Sequence, residues 1–412
     1  MKIIADLQIH SKYARATSKD ISFENLEKYA RIKGIDLLGT GDFQHPKQYK
    51  DIINSVREDE NGILWTKTNF PFIWQTEVSL MFSQGGKRRA VHLLIYAPNR
   101  AVADNIIAYL GGLGRLDYDG RPIFGISCKN LTRDLKRIDE MIEVIPAHCM
   151  TPWFGVFGSD SGFDSLGECF EEQVENIHAI ESGMSADPSM LNRLKENVNI
   201  VSFSDAHSFW PWRIGREATV FDIANLSYEN IIKAIRTSSG LAGTIETYPE
   251  YGKYHFDGHR NCKFSCAPQR TKQLNSICPI CGKPLTIGVE YRIEELAKEK
   301  SGYVAKNKVP FSKLLPLHEL CAYAYKSSMT TKKTWNIYNL IIEKAGSELN
   351  ALLHAKEDIF EEAGANRELV ELIFASREGK LSIKPGYDGE YGVIEAPGSN
   401  ESKKSEGQNK LF

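Results

Sequence analysis

ADLQIHS, at residues 5–11, is the stretch whose reading decides the fold. Residues 2–7 (KIIADL) have the apolar, β-branched character of a short buried strand, so positions two apart leave it on the same side. Asp6, Gln8 and His10 then line up as a carboxylate, an amide and an imidazole. That is a metal-facing strand edge.

The same pattern recurs further along the chain. Ser22 caps a predicted helix (FENLEKYARIK) that Gly34 ends, and residues 35–40 (IDLLGT) form an apolar run of buried-strand length, which makes a βαβ unit. The second strand opens into GDFQHP, with Asp42 and His45. Residues 72–76 lead to Glu77, 91–96 carry His92, 142–146 lead to His148, 177–180 lead to Glu181, and 200–204 lead to Asp205 and His207. Helical stretches at 102–110 and 228–237 fall between or after these strands. Parallel strands in an α/β barrel converge on one mouth at their C-terminal ends, where such folds keep their chemistry. Several divalent ions held by histidines and bridging carboxylates suit phosphoester hydrolysis. His178 and Glu181 are three residues apart, so at most one enters the mouth; both are expected to be structural.

Length and composition bound the rest. At 412 residues, 42% hydrophobic and 10% aromatic, the chain is expected to fold as two or three globular domains. No run of eighteen apolar residues offers a membrane span, and a soluble, cytoplasmic protein is expected. Eight cysteines are too sparse for a disulfide scaffold, which fits a reducing compartment. Residues 249–345 hold 16 Lys and Arg against 8 Asp and Glu, a net of +8, so the formal charge of −2 leaves −10 for the remainder. Such a basic segment suits phosphates.

Within it, His259-Arg-Asn-Cys262 and Cys278-Pro-Ile-Cys281 each separate two ligands by two residues, the spacing of a structural zinc knuckle. Cys266 is the alternative fourth ligand, with His259 favoured because its spacing mirrors the second pair. His318 and Cys321 have helix spacing and no second pair nearby, so they read as helix core or surface.

Trp210, Arg213 and Arg216 follow the Asp205–His207 cluster and are candidate DNA contacts, by stacking and by phosphate binding. Residues 332–344, 348–362 and 368–376 are amphipathic helix candidates. Lys380 and Lys384 border a glycine-rich turn that is a candidate backbone contact. Beyond residue 396 the composition becomes polar, a predicted disordered tail whose Leu411-Phe412 end is a candidate sliding-clamp peptide.

ADLQIHS, GTGDFQHP, QTEVS, VHLLIY, IPAHCM and VSFSDAH together resemble the polymerase and histidinol phosphatase (PHP) superfamily. YGKYHFDGHRNC and ICPICGKPLTIGVEYRIEELA resemble the zinc-binding and following parts of its endonuclease Q branch. The resemblance implies a distorted seven-stranded (β/α) PHP barrel over 1–247, a zinc-binding module over 248–300 and a helical DNA-contacting region over 301–396; the tail over 397–412 lies outside it. It implies two or three divalent ions (Zn, Mn or Mg) held by Asp6, Gln8, His10, Asp42, His45, Glu77, His92, His148, Asp205 and His207. Glu77 is the bridging carboxylate, with Glu77, His10 and Asp205 central to catalysis, and one further zinc is structural. Gln8 departs from the superfamily's His-x-His, and an amide oxygen is the weaker ligand. The implied activity is a DNA repair endonuclease cutting 5′ to uracil, hypoxanthine, xanthine or an abasic site. Its rivals are a phosphatase of small monoesters, which has no use for the basic zinc module, and a non-catalytic nucleic-acid-binding PHP protein, which has none for so full a ligand set.

Overall fold

The computed structural model describes residues 1–303 and 309–395; the predicted tail and its Leu411-Phe412 end lie outside the described residues. Seven strands form the barrel: β1 (Lys2–Asp6), β2 (Leu37–Gly39), β3 (Pro71–Gln84), β4 (Lys87–Ala97), β5 (Glu143–Pro146), β6 (Ala179–Glu181) and β7 (Asn199–Val201). β1, β2 and β3 pair in parallel, β4 runs antiparallel to both β3 and β5, and β6 and β7 pair in parallel. The Cys149 amide donates to the Glu181 carbonyl across the β5–β6 seam. A parallel bridge between Ile9 and Ala206, just past β1 and β7, closes the ring.

This is the distorted barrel expected, with one correction to the all-parallel arrangement. Gly85 and Gly86 both take positive φ, 60° and 73°. A two-residue turn with both centres left-handed is the connection whose twist matches a hairpin, and only glycine adopts it without strain. β3 therefore runs on through Gln84 and turns straight back into β4. Glu77 lies in the middle of its strand, not at its end. Because β4 is reversed, its N-terminal half reaches the mouth and brings His92 there. Ser79 stands opposite His92, and Glu77, two residues before Ser79, shares its face of the sheet.

Outside the ring, Ala218–Asp222 pairs antiparallel with β1, Leu241–Glu246 pairs antiparallel with that strand, and Phe311–Lys313 adds in parallel at the edge. A segment placed by sequence in the C-terminal region thus completes the barrel's sheet. Residues 257–266 form a small hairpin, Asp257–His259 against Phe264–Cys266. After it come the helices Val289–Leu296, Leu317–Ala324, Lys332–Ala345, Glu348–Leu353, Glu357–Glu362 and Arg367–Arg377. The single helix predicted over 348–362 is two, with Ser347 capping the first. One apolar cluster runs from the barrel through these helices, joining Leu26 and Ile35 to Ile337, Leu352 and Ile373. No described helix is long and apolar enough to cross a membrane.

Candidate metal centre

Two trios of ligand atoms meet at the barrel mouth. His10, Asp205 and His207 form one, and Glu77, His92 and His148 the other; within each trio the candidate ligand atoms lie within 4.8 Å of one another. Glu77, fully buried, joins them. Its Oε2 lies 2.9 Å from His10 Nε2, while its Oε1 lies 2.7 Å from His92 Nδ1 and 3.4 Å from His148 Nε2. One carboxylate oxygen faces each trio, which is the arrangement of a bridging ligand between two ions.

The backbone around the centre is strained where ligands leave the strands. Asp42, His148 and Asp205 all adopt positive φ, at 46°, 30° and 48°. A non-glycine residue held there costs about 1–3 kcal/mol and persists where surrounding structure enforces it. Gly183 makes room for this at His148, since a Cβ on it would lie 2.6 Å from the His148 Cβ.

Three of the four histidines are oriented from behind. Asp42 Oδ1 lies 2.9 Å from His10 Nδ1, and the Ser11 amide and hydroxyl donate to its Oδ2 at 2.7 and 2.6 Å. With both oxygens so engaged, Asp42 holds the His10 ring and leaves Nε2 free for an ion, a pairing that also raises ligand basicity. His148 Nδ1 meets the Thr151 hydroxyl at 2.9 Å, and the His148 amide donates to Glu181 Oε2 at 2.6 Å. His207 Nδ1 lies 2.9 Å from the Asp205 carbonyl oxygen.

The electrostatics follow from burial and crowding. Burial alone would lower the His10 pKa, but Asp42, Asp205 and Glu77 raise it well above the usual imidazole value. Burial would raise Glu77, yet Arg121 and His92 bring it well below the carboxylate range. Burial, helped by Arg121, pushes His92 down to about 3, so its ring is neutral and ready to ligate. The buried side-chain atoms that form no well-aligned hydrogen bond include Gln8 Oε1, His10 Nε2 and Asp205 Oδ1, with His10 Nε2 2.9 and 3.1 Å from carboxylate oxygens of Glu77 and Asp205. Orphaned lone pairs converging beside a carboxylate are costly unless a cation answers them, so these residues fit divalent metal ions.

Not every predicted ligand reaches the trios. Asp6 accepts from the Ser204 amide at 2.9 Å, the Ser204 hydroxyl at 2.5 Å and the Gly215 amide at 2.8 Å, so it ties β1 to the loop that carries Asp205. His45 caps the helix Pro46–Ser55 by accepting from the Lys47 amide at 3.3 Å, and it stacks on Tyr13. Gln8 is at the centre but turns its amide nitrogen to Glu77 Oε2 at 3.0 Å. His178 lies with Glu143, at 2.8 Å.

The candidate DNA contacts after His207 also make contacts within the protein. Arg216 donates twice to the Ser204 carbonyl, at 3.0 and 2.8 Å, bracing the residue before Asp205. Arg213 approaches Glu319, and Trp210 stacks on Trp212 at 5.4 Å and packs against Tyr29 and Trp335. Lys380 pairs with Glu378 at 2.7 Å, and Lys384 is exposed on a short strand paired with Val393.

Sequence reasoning missed Arg121. Its Nη1 lies 3.2 Å from Glu77 Oε1. It sits in DGRP, an ordinary turn composition with no spacing to the ligands. The signal is tertiary: a Cβ on the neighbouring Gly120 would fall 2.3 Å from Asp42 Oδ2, so only glycine lets this turn lie across the mouth.

The second cluster gathers His259, Cys262, Cys278 and Cys281 with ligand atoms within 4.8 Å of one another. His259 Nδ1 lies 3.2 Å from Cys262 Sγ and 3.3 Å from Cys281 Sγ. Cys266 Sγ meets the Thr271 hydroxyl instead, at 3.3 Å. Burial would raise the Cys278 thiol, but the Ile280 and Cys281 amides and His259 bring it down to about 6, toward the thiolate that binds metal. His318 is buried against Trp212, Trp335 and Tyr338, in keeping with a core histidine.

The seven-stranded distorted barrel, with histidines gathered around Glu77 at its mouth, is similar to the barrel of PHP-superfamily proteins. Within that class the likeness is to endonuclease Q. The lesion-specific endonuclease of Pyrococcus furiosus, PfuEndoQ, superimposes with a TM-score of 0.86 at 29% identity over 98% of both chains. A complex of endonuclease Q with a 27-mer duplex substrate, an abasic lesion at the active site, gives 0.86 at 29% identity over 97% of both. The family model of the MJ0043 C-terminal domain matches residues 316–380. The uncharacterized protein MJ0043 of Methanocaldococcus jannaschii is 33% identical over 60% of this chain, a match that spans 31% of that relative's own length.

Proposed function

We propose that the protein is a metal-dependent DNA repair endonuclease that hydrolyses the phosphodiester bond 5′ to a deaminated base or an abasic site, leaving a 3′-hydroxyl and a 5′-phosphate. The observation that carries the reading is Glu77, one oxygen toward each ligand trio, in a chain alike to endonuclease Q from end to end. Endonuclease Q in its duplex complex holds an abasic lesion at the active site, which supports DNA as substrate and an abasic site as one lesion. His10, Asp205 and His207 would hold one ion, His92 and His148 a second, and Glu77 would serve both. Divalent ions supply there an acidified water and a counter-charge for phosphoryl oxygens. The centre opens toward solvent through Asp205, His207 and Arg121, whose side chains are about 30% exposed. Arg121 would offer a phosphate entering from that side a planar donor suited to a non-bridging oxygen.

The His259, Cys262, Cys278 and Cys281 cluster would bind a structural zinc, with all four positions filled by protein, and hold the basic segment in shape for the duplex. Reading the lesion requires the damaged nucleotide to leave the stack, which costs a few kcal/mol and least at weakly paired lesions. The test uses labelled duplexes with one uracil, hypoxanthine, xanthine or abasic site, with Mg²⁺, Mn²⁺ or Zn²⁺ supplied, and Asp205→Asn as control. Nicking 5′ to the lesion by wild type, with at least a hundredfold loss in Asp205→Asn, is expected. Intact lesion duplexes beside wild-type hydrolysis of a small phosphate monoester would sink the reading.

A further inference from the structure

Trp153 is the most exposed of the six tryptophans, at 41%, while Trp74 and Trp212 are buried. Its position is not one of surface slack. It lies five residues after His148, in a loop built to hold its shape. The Thr151 amide and hydroxyl both return to the His148 carbonyl, and the Asp160 amide donates to the Pro152 carbonyl at 3.0 Å. Gly155 and Gly158 pack so closely that a Cβ on either would lie 2.5 or 2.4 Å from the Thr151 carbonyl oxygen. Arg292 clamps the loop from outside through the Phe157 and Phe163 carbonyls.

Phe154, the next residue, takes φ of +67° and stacks on His92 at 4.3 Å and 26°. The same residue thus seals one flank of the metal centre and turns its neighbour outward. Tyr254, from the start of the basic segment, stands edge-on to Trp153 at 5.3 Å and 75° and so fixes the indole's orientation. A large aromatic left in water, on a strained and rigid loop beside a metal centre, forgoes burial that folding would otherwise favour.

We propose that the Trp153 indole, with Tyr254 set edge-on against it, is a stacking platform for an unpaired nucleobase of the damaged duplex beside the metal centre. The inference rests on the endonuclease reading above and deepens it. A π-face accepts any base, so the platform suits an enzyme that must hold different lesions in one place, with discrimination left to hydrogen bonds elsewhere. It also gives the displaced nucleotide a surface to occupy.

The experiment compares wild type, Trp153→Ala and Trp153→Phe on a uracil-containing duplex. Base stacking on an aromatic implies a loss of roughly 5- to 100-fold in kcat/KM for the alanine variant, mostly in KM, with most of it restored by phenylalanine. In the Asp205→Asn background, Trp153→Ala should weaken binding of the uracil duplex within the same range and leave binding of an abasic duplex, which has no base to stack, within twofold. Wild-type cutting with Trp153→Ala within twofold, or an equal loss of binding on the abasic duplex, overturns the platform alone. A wild type that cuts no lesion duplex overturns the parent reading and the platform with it.

Discussion

Lys33→Met should weaken the docking of the C-terminal helices on the barrel, at a cost set by one buried ion pair. Lys33 ends the helix Phe23–Lys33, and its ammonium lies 2.6 Å from Glu348 Oε1, with side chains 1% and 0% exposed. It also donates to the Pro211 carbonyl at 2.8 Å, in the loop that follows the metal-centre residues Asp205 and His207. Glu348 accepts in addition from the Leu317 amide at 2.9 Å and the Tyr338 hydroxyl at 2.7 Å. Removing the lysine leaves a dry carboxylate with two neutral donors and no counter-charge, which costs about 3–5 kcal/mol. Lys33→Met/Glu348→Gln keeps an acceptor for one donor and removes the buried charge, so it should lose only about 1–3 kcal/mol, the cost of an unsatisfied buried donor. Urea unfolding followed by tryptophan fluorescence reads this directly, because Trp212 and Trp335 pack beside the same interface. If Lys33→Met costs no more than the ±0.5 kcal/mol or so of an ordinary surface substitution, or the double variant is worse than the single, the ion pair does not dock the two parts.

Two further outcomes are expected. Burial raises Glu217 to about 7 from its ordinary 4.5, so between those values the folded protein keeps a proton that the unfolded chain has released. Stability should therefore fall as pH rises from about 4.5 through 7, by up to about 3 kcal/mol from this group, and level off above. Glu217→Gln, which can still accept from the Thr247 amide, should flatten that slope in urea titrations at pH 5 to 8; an unchanged slope would remove Glu217 as its source. Gln8→His should make one metal ion harder to strip with chelator and change the nicking rate, since imidazole is the better ligand beside Glu77. No change in either would mean that position 8 lies outside the ligand shell.

The recurrence of carboxylates and imidazoles at successive strand ends was legible because strand alternation is local: His10, His148, Asp205 and His207 reach the mouth as their spacing implies. So was the zinc candidate, whose ligands come in two short pairs. Glu77 and His92 were found for an incomplete reason. The strand of Glu77 runs on to a Gly85-Gly86 turn, and it is the reversal into β4 that sets His92 on the same face. Asp6 and His45 show the opposite case, in which the residue type is right and the partner is not. Ser204 and Gly215, some two hundred residues away, take up the Asp6 oxygens, and a helix start takes up His45.

The sequence by itself determined which residues can bind metal and on which side of each strand they leave, because both depend on side-chain chemistry and backbone periodicity within a few residues. Only the tertiary structure decided which of them meet. That depends on strand register, on barrel closure between Ile9 and Ala206, and on glycines such as Gly120 that let one turn lie against another. Arg121 over Glu77 and Trp153 held outward beside His92 exist only as products of that closure, since no spacing along the chain relates them to the residues they stand beside.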